Sequence, residues 1–153
     1  MGVQEVQACL DSAHQRCSES GLRLTQKREQ ILRLMLEAEA PLSPYEVVDL
    51  YNAQAEQNMP PNSAYRILDF LAEANLVHKL NSANKYIACS HIACSHPHSA
   101  SQFLICSQCK TVKEVMMEPK LLKEIQKNVS SAGFKMRHPS VELECLCGEC
   151  SES

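Results

Sequence analysis

Hydrophobic residues in the first half of the chain recur every three or four positions, the spacing that places side chains on one face of an α-helix. A helix is predicted over residues 26–37, because Thr25 before them is a good N-cap. A second helix is predicted to run to about residue 55, because Ser43 and Glu46 match a capping box and Pro44 suits the first helical position. A third, after Pro60 and Pro61, buries an i, i+3, i+4, i+7 set: Ala64, Ile67, Leu68 and Leu71.

The chain after the third helix has the short alternating runs that are typical of β-strands. Two strands are predicted, over residues 76–80 and 85–89, and the polar residues 81–84 form the turn between them. Three short helices followed by a two-stranded hairpin indicate a winged helix-turn-helix domain spanning residues 1–89.

Residues 90–101 are rich in Ser, His and Pro and have no periodicity, so they are predicted to be a linker. This segment holds part of a tandem repeat, in which the pentapeptide IACSH at 87–91 is copied at 92–96, and the copy duplicates possible metal ligands. Beyond the linker, the pattern predicts strands over 102–105 and 111–116, an amphipathic helix over 118–131 and a strand region within 134–146. The predicted fold class is therefore α+β, with a small α+β domain over residues 102–153.

The cysteine content indicates in which kind of cellular compartment the protein acts. There are nine cysteines in 153 residues, an odd number, and the N-terminus lacks the profile of a secretion signal. These features favour a reducing compartment inside the cell, where cysteines bind metals and do not form a disulfide framework. The chain has no apolar run long enough to span a bilayer. A cytoplasmic protein with no membrane partner is expected.

The charge balance limits how the chain could bind nucleic acid. The net charge is −3, so there is no overall basic surface. Any contact with DNA has to come from a local basic patch and from shape, since bulk electrostatic attraction is lacking.

Two Cys-x-x-Cys pairs carry the strongest chemical signal, Cys106/Cys109 and Cys147/Cys150. Four thiolates around tetrahedral Zn²⁺ form a closed shell, which is typical of a structural site. The alternative is a redox dithiol or simply buried cysteines. Cys145 is an alternative to Cys147 as a ligand, although the spacing favours Cys147.

A second group of potential metal ligands lies along the predicted hairpin (residues 76–89), the linker and the start of the second domain. Imidazole, thiolate and carboxylate groups from these segments could form a mixed site that spans two domains and favours one domain orientation. Thiolate with imidazole suits Zn²⁺ better than iron or manganese. The alternative is a solvated linker beside an ordinary strand histidine. The candidates are His78, Cys89, His91, Cys94, His96, His98 and Glu114.

The third helix has the features of a DNA recognition helix. Its N-terminal end presents Ser63, Tyr65 and Arg66, and an arginine there can bind a guanine edge through two hydrogen bonds. The alternative is a core helix on which Arg66 makes only a surface ion pair. Further candidate contacts are Arg23, Lys27 and Arg28 to phosphates and Tyr45 to a base or sugar.

Four segments in this order and spacing resemble the ferric uptake regulator family: LTQKR at 24–28, SAYRIL at 63–68, CSQC at 106–109 and CGEC at 147–150. The likeness covers about residues 5–150. Within this family the chain is most similar to the zinc uptake regulator branch. The segments that carry this likeness are Cys89 at the end of the predicted hairpin, VHK at 77–79 and VKE at 112–114.

The resemblance implies a homodimeric, zinc-responsive repressor that binds a palindromic DNA operator upstream of zinc-uptake genes. It implies no enzymatic activity and no small-molecule substrate. DNA-reading roles fall on Tyr45 and Arg66. The structural ligands would be Cys106, Cys109, Cys147 and Cys150, and the regulatory ligands His78, Cys89, His96 and Glu114.

The chain departs from the family pattern at the linker, which is longer and adds a thiol, Cys94. His98, His91 and Cys94 are therefore alternatives to His96 as the linker ligand. A milder change is the Ser63–Ala64 pair before Tyr65, where the family has a serine or threonine followed by valine.

Four other functions are alternatives to that of a zinc-responsive repressor, and each predicts a different chemistry or binding behaviour. Relatives that sense iron, manganese, nickel or peroxide share the same framework. A zinc deaminase requires His-x-Glu, and none of the six histidines is followed two residues later by glutamate. A dithiol oxidoreductase would not need four cysteines fixed around a metal. A zinc-stabilised interaction module would bind no DNA.

Overall fold

The computed structural model describes residues 2–55, 58–93, 100–137 and 139–152. The chain divides into two compact units, Met1–Ser95 and His96–Ser153. The first contains helices and a two-stranded sheet, and the second contains a three-stranded sheet with helices. The predicted α+β class is confirmed.

The three helices predicted for the N-terminal unit are present, and an additional helix precedes them. Thr25 accepts a hydrogen bond from the Arg28 N–H at 3.4 Å, and Ser43 accepts one from the Glu46 N–H at 3.2 Å, so both predicted N-caps cap their helices. Pro60 is the N-cap of the fourth helix. The helices are α1 (Val3–Glu19), α2 (Gln26–Ala38), α3 (Pro44–Gln54) and α4 (Pro61–Glu73).

Helix α1 was missed by the sequence analysis, which predicted three helices in this unit. Its N-cap is Gly2, which has no side chain to cap with; instead the Glu5 carboxylate accepts the Gly2 N–H at 2.9 Å. Its buried stripe packs on α2 and is built mostly from small side chains: Val6, Cys9, Leu10, Ala13 and Cys17.

The predicted hairpin is also present, as strands β1 (Val77–Leu80) and β2 (Lys85–Ala88), which pair antiparallel. An additional bridge joins Leu42 to Tyr86, where each backbone N–H donates to the other carbonyl at 2.8 Å. The Tyr86 hydroxyl donates to Asp69 of α4 at 3.1 Å. These bonds fix the hairpin to the helices of its own unit.

The core of the N-terminal unit lies between the four helices and the hairpin. Its fully buried side chains leave the opposite face of α4 to solvent, so the core determines which residues of that helix are available for binding. The central members are Leu10, Ile31, Leu32, Met35, Val47, Leu68, Leu71 and Leu76.

The C-terminal unit is built on strands β3 (Ser101–Cys106), β4 (Val112–Met116) and β5 (Ser140–Cys145). The strand order is β4-β3-β5, with β4 antiparallel and β5 parallel to the central β3. Helix α5 (Pro119–Ser131) connects β4 to β5, and a short helix α6 (Gly148–Ser151) follows. The three strands and α5 match the predicted order, and α6 was not predicted.

The apolar side of the C-terminal unit is incompletely covered. No residue of α5 is buried, although its sequence is strongly amphipathic, and Phe134 after it is 73% exposed.

No helix in the described part of the chain has both the length and the apolar character that a bilayer-spanning segment needs.

Candidate functional site

The two Cys-x-x-Cys pairs meet at one end of the C-terminal sheet. Cys106 ends β3 and Cys109 lies in the turn after it, while Cys147 is the N-cap of α6 and Cys150 lies within that helix. The two pairs come together because β5 runs parallel to β3, with Cys106 opposite Cys145. All four sulfur atoms lie within 4.8 Å of one another.

Backbone hydrogen bonds shape the turn that carries the first pair. The Lys110 N–H donates to the Cys106 carbonyl at 3.0 Å, and Lys110 itself has a left-handed φ of 65°. The Ser107 N–H donates to the Cys145 carbonyl at 2.9 Å. This bond ties the first turn directly to the strand that leads into the second pair.

The thiols of this cluster differ sharply in acidity. Backbone N–H groups of Cys109 and Cys147 lower the pKa of Cys106 to about 6, and the bond from the Cys147 N–H to its sulfur measures 3.4 Å. Hydrogen bonding to Cys147, together with burial, raises the pKa of Cys150 to about 12. Closely spaced thiols resist ionising together, and a divalent cation removes that penalty.

The donor set fits zinc. Tetrahedral Zn²⁺ with Zn–S bonds of about 2.3 Å places its sulfurs about 3.8 Å apart, and the Cys109 and Cys147 sulfurs are 3.7 Å apart. Cys145 is not a member of the cluster, and its thiol donates to the Leu143 carbonyl at 3.5 Å. None of the cysteines in the described part of the chain is in a disulfide.

A second pair of potential ligands lies at the base of the hairpin in the N-terminal unit. His78 is on β1 and half-buried, and Cys89, directly after β2, is only 1% exposed. Their ligand atoms lie within 4.8 Å of each other. The Cys89 N–H donates to the Leu76 carbonyl at 2.9 Å, and its sulfur accepts the His91 N–H at 3.4 Å. The hairpin therefore presents a buried thiol beside an imidazole.

The remaining candidates for the mixed site are distributed as follows. Glu114 lies on β4 of the C-terminal unit, is half-buried, and accepts a hydrogen bond from the Ser101 hydroxyl at 2.9 Å. His91 lies in the turn after Cys89 and is half-buried. His96, His98 and Cys94 lie outside the described residues.

Helix α4 exposes the residues predicted to read DNA. Arg66 is exposed, and Ser63 and Tyr65 are half-buried, on the side away from the buried Ala64. Tyr45 is 63% exposed in the first turn of α3. Within the N-terminal unit, Arg66 and Tyr45 are thus exposed, and Ser63 and Tyr65 are partly exposed.

The predicted phosphate contacts differ in their surroundings. Lys27 and Arg23 are exposed. The Arg28 guanidinium instead stacks on the Phe70 ring of α4, 3.7 Å from its centroid, and donates to the Arg23 carbonyl at 2.8 Å. Arg28 thus links α2 to α4, a role that its sequence position did not indicate.

Two further polar residues were missed by the sequence analysis. Asp69 accepts the Tyr86 hydroxyl, and Arg16 donates to two backbone carbonyls outside its own helix. All three contacts join residues far apart along the chain, so no local pattern could have indicated them.

Comparisons with known proteins agree with these features. Residues 19–144 match the model of the ferric uptake regulator family. The chain is 36% identical over 147 residues to the zinc uptake regulation protein of Escherichia coli (strain K12), covering 95% of this chain and 83% of that protein. It is 29% identical over 140 residues to the ferric uptake regulation protein of Synechococcus elongatus, covering 89% and 90%.

A solved structure of a zinc uptake regulator complexed with zinc and DNA has a TM-score of 0.85 to this chain, at 34% identity and with 96% and 95% of the two chains covered. The family comprises metal-responsive transcription regulators that bind operator DNA and are not enzymes. On the family match and this overall likeness, the chain belongs to the ferric uptake regulator family, and it is similar to that family's zinc uptake regulators.

Proposed function

We propose that this protein is a zinc-responsive transcriptional repressor that acts in the cytoplasm. As a homodimer it binds palindromic operator DNA and controls zinc-uptake genes. The 36% identity to a zinc uptake regulation protein supports this function, as does the likeness to a regulator solved with zinc and DNA. The observation that carries zinc specificity is the buried Cys89 thiol beside His78, since a soft thiolate favours zinc over iron or manganese.

Two kinds of zinc site follow from this proposal. Four cysteines of the C-terminal unit would hold a structural zinc with no open coordination position: Cys106, Cys109, Cys147 and Cys150. The regulatory ligands would be His78, Cys89, His96 and Glu114, with His98, His91 or Cys94 as alternatives to His96. When bound at the regulatory site, zinc supplies ligation energy only in the arrangement that brings these ligands together.

The protein's own residues supply the DNA contacts. In this proposal α4 lies in the major groove, where Arg66 binds a guanine edge through two hydrogen bonds and Ser63 and Tyr65 line the same face. Tyr45 at the start of α3 contacts a base or sugar. Lys27 contacts phosphate, and Arg28 does so with the N–H groups left after its bond to Arg23.

Dimerisation would use the C-terminal unit, whose apolar surface is poorly covered. A second copy would bury this surface and present two recognition helices roughly one helical turn of DNA apart. Individually weak contacts then combine into specific binding. The exposed apolar side chains of the unit are Leu121, Phe134, Leu143 and Leu146.

The substitution Cys89→Ser tests the regulatory site. We expect a folded dimer that retains about one zinc per chain, because the four-cysteine cluster is untouched, but that has lost zinc-dependent DNA binding. Zinc content by elemental analysis and a gel shift with and without zinc measure both properties. The control is Cys145→Ser, which removes a nearby thiol that is outside the cluster.

Undiminished zinc-dependent binding by Cys89→Ser would remove this residue from the sensing role. The same gel shift with Fe²⁺ or Mn²⁺ in place of Zn²⁺ distinguishes the other sensors of this family. If the wild type responded to Fe²⁺ or Mn²⁺ and not to Zn²⁺, the zinc assignment would be wrong.

A further inference from the structure

Arg16 makes two long-range contacts from the last turn of α1. Its Nη1 donates to the Asn75 carbonyl at 3.2 Å, and its Nη2 donates to the Ile92 carbonyl at 3.0 Å. The two acceptors are far from Arg16 along the chain, but all three residues belong to the N-terminal unit. One guanidinium therefore joins two separate backbone segments.

These segments flank the two candidate zinc ligands of the hairpin. Asn75 lies between α4 and β1, three residues before His78, and has a left-handed φ of 59°. Ile92 lies three residues after Cys89, and its side chain is 1% exposed in the core. Arg16 thus binds the backbone just before β1, the strand that carries His78, and the segment that follows Cys89.

The geometry points to a positioning role: we propose that Arg16 pre-organises His78 and Cys89 for zinc by fixing the backbone on both sides of the hairpin. This inference rests on the proposed function of the same two residues. Its physical basis is that a ligand pair already held at the right separation loses less conformational entropy on binding. The planar guanidinium suits this task, because its fixed fork of N–H groups can serve two carbonyls at once.

A neighbouring hydrogen bond joins the same two segments. The Cys89 N–H donates to the Leu76 carbonyl, so the two segments joined by Arg16 also contact each other directly beside the ligands. The strand pairing of the hairpin begins at Val77 and Ala88 and does not include Asn75 or Ile92, the two positions that Arg16 joins. The buried Ile92 side chain provides a second, independent anchor for the exit segment.

The test is a Co²⁺ titration of the full-length dimer whose four-cysteine sites are already filled with zinc. Visible absorption reports the binding of cobalt at the second site. We expect Arg16→Gln to weaken this binding by about tenfold or more, as is usual when a group that orients a metal ligand is removed. Zinc content at the first site should stay at about one per chain.

The matched control is Arg33→Gln, an arginine of α2 whose side chain contacts Gln7 of α1 and Glu29 of α2 at 3.5 Å. It should bind cobalt as the wild type does. If Arg16→Gln fails to fold, Ile92→Ala loosens the same segment from the core and should weaken cobalt binding in the same way.

The outcomes separate the two proposals. The role of Arg16 would be overturned if a folded Arg16→Gln and Ile92→Ala both bound cobalt with the affinity of the wild type. The proposed regulatory site would not be affected by that result. An equal loss in Arg33→Gln would also overturn it, because the effect would then reflect general destabilisation. A wild type that takes up no second cobalt ion would overturn the regulatory site itself, and the role of Arg16 with it.

Discussion

At the scale of single residues, Tyr86 shows how a buried polar group joins the hairpin to α4, the proposed recognition helix. Its hydroxyl donates to Asp69 of α4, and its ring is 2% exposed. Burial, followed by the Asp69 hydrogen bond and its negative charge, raises the pKa of Tyr86 from 10.0 to about 12. The folded protein therefore holds this proton more tightly than the unfolded chain does.

This shift predicts a loss of stability in alkali. Below pH 10 the tyrosine is protonated in both states, so its contribution to the free energy of unfolding is complete. As the pH rises towards 12, the unfolded state releases its proton first and the contribution disappears. The stability difference between wild type and Tyr86→Phe, measured by urea unfolding followed by circular dichroism, should shrink between pH 8 and pH 11.5. A difference that stays constant across this range would contradict the assignment.

The predictability of single residues depends on how local their chemistry is. The four clustered cysteines were found by spacing, because two short turns each have to aim two sulfurs at one centre. The phosphate contact of Arg28 stays a prediction, and the structure shows in addition that its guanidinium stacks on Phe70. That contact, like those of Arg16, depends on tertiary packing that leaves no local signature.

At the scale of secondary structure elements, capping chemistry explains which helices were predictable. Thr25 and Ser43 each cap a helix with a side-chain oxygen, and the predicted helices begin there. Helix α1 begins at Val3, its N-cap Gly2 has no side chain, and its apolar stripe contains Cys9, Ala13 and Cys17. Small and weakly hydrophobic residues give a faint periodic signal, so the helix was missed.

Helix α4 carries the prediction for DNA recognition. Removing the exposed guanidinium with Arg66→Ala should weaken specific binding by roughly 1–3 kcal/mol without affecting folding, because its two hydrogen bonds to one base would be lost. Binding of operator and random DNA, compared by fluorescence anisotropy, measures the effect. Glu73→Ala, an exposed position at the end of the same helix, is the control. A ratio of operator to random affinity equal to that of the wild type would contradict the role of Arg66.

At the scale of the whole molecule, the two units differ in how they are stabilised. The N-terminal unit has an extensive apolar core. In the C-terminal unit the buried residues of the described chain are few, and a small unit with little core often depends on a metal. These residues are Ala100, Phe103, Cys106 and Met117.

Loss of the structural metal should therefore disrupt the C-terminal unit and the dimer. We expect Cys150→Ser to lose zinc from this site, since three thiolates and a hydroxyl bind it less well, and to become largely monomeric. Light scattering coupled to size exclusion gives the oligomeric state, and elemental analysis gives the zinc content. Cys145→Ser should remain a zinc-loaded dimer. A stable dimer of Cys150→Ser without this zinc would show that the metal is dispensable for assembly.

The sequence predicted the order of α2 to α4, the hairpin, the three C-terminal strands and α5, because periodicity and cysteine spacing are local properties. It missed α1 and α6. It also indicated that α5 is amphipathic, but the pattern alone does not say what covers its apolar side. In the structure no residue of α5 is buried, and a second copy of the chain stays the proposed cover. The linker ligand stays a prediction, since His96 lies outside the described residues.

The most direct test compares DNA binding by the dimer with one zinc per chain and by the same dimer with its regulatory sites also filled. A labelled duplex, selected from a random pool by the zinc-loaded protein, reports affinity through fluorescence anisotropy. If zinc at His78 and Cys89 controls DNA binding, filling the regulatory sites should tighten binding by roughly 5–150-fold, the usual range of allosteric coupling. Equal affinity of the two forms would contradict the account.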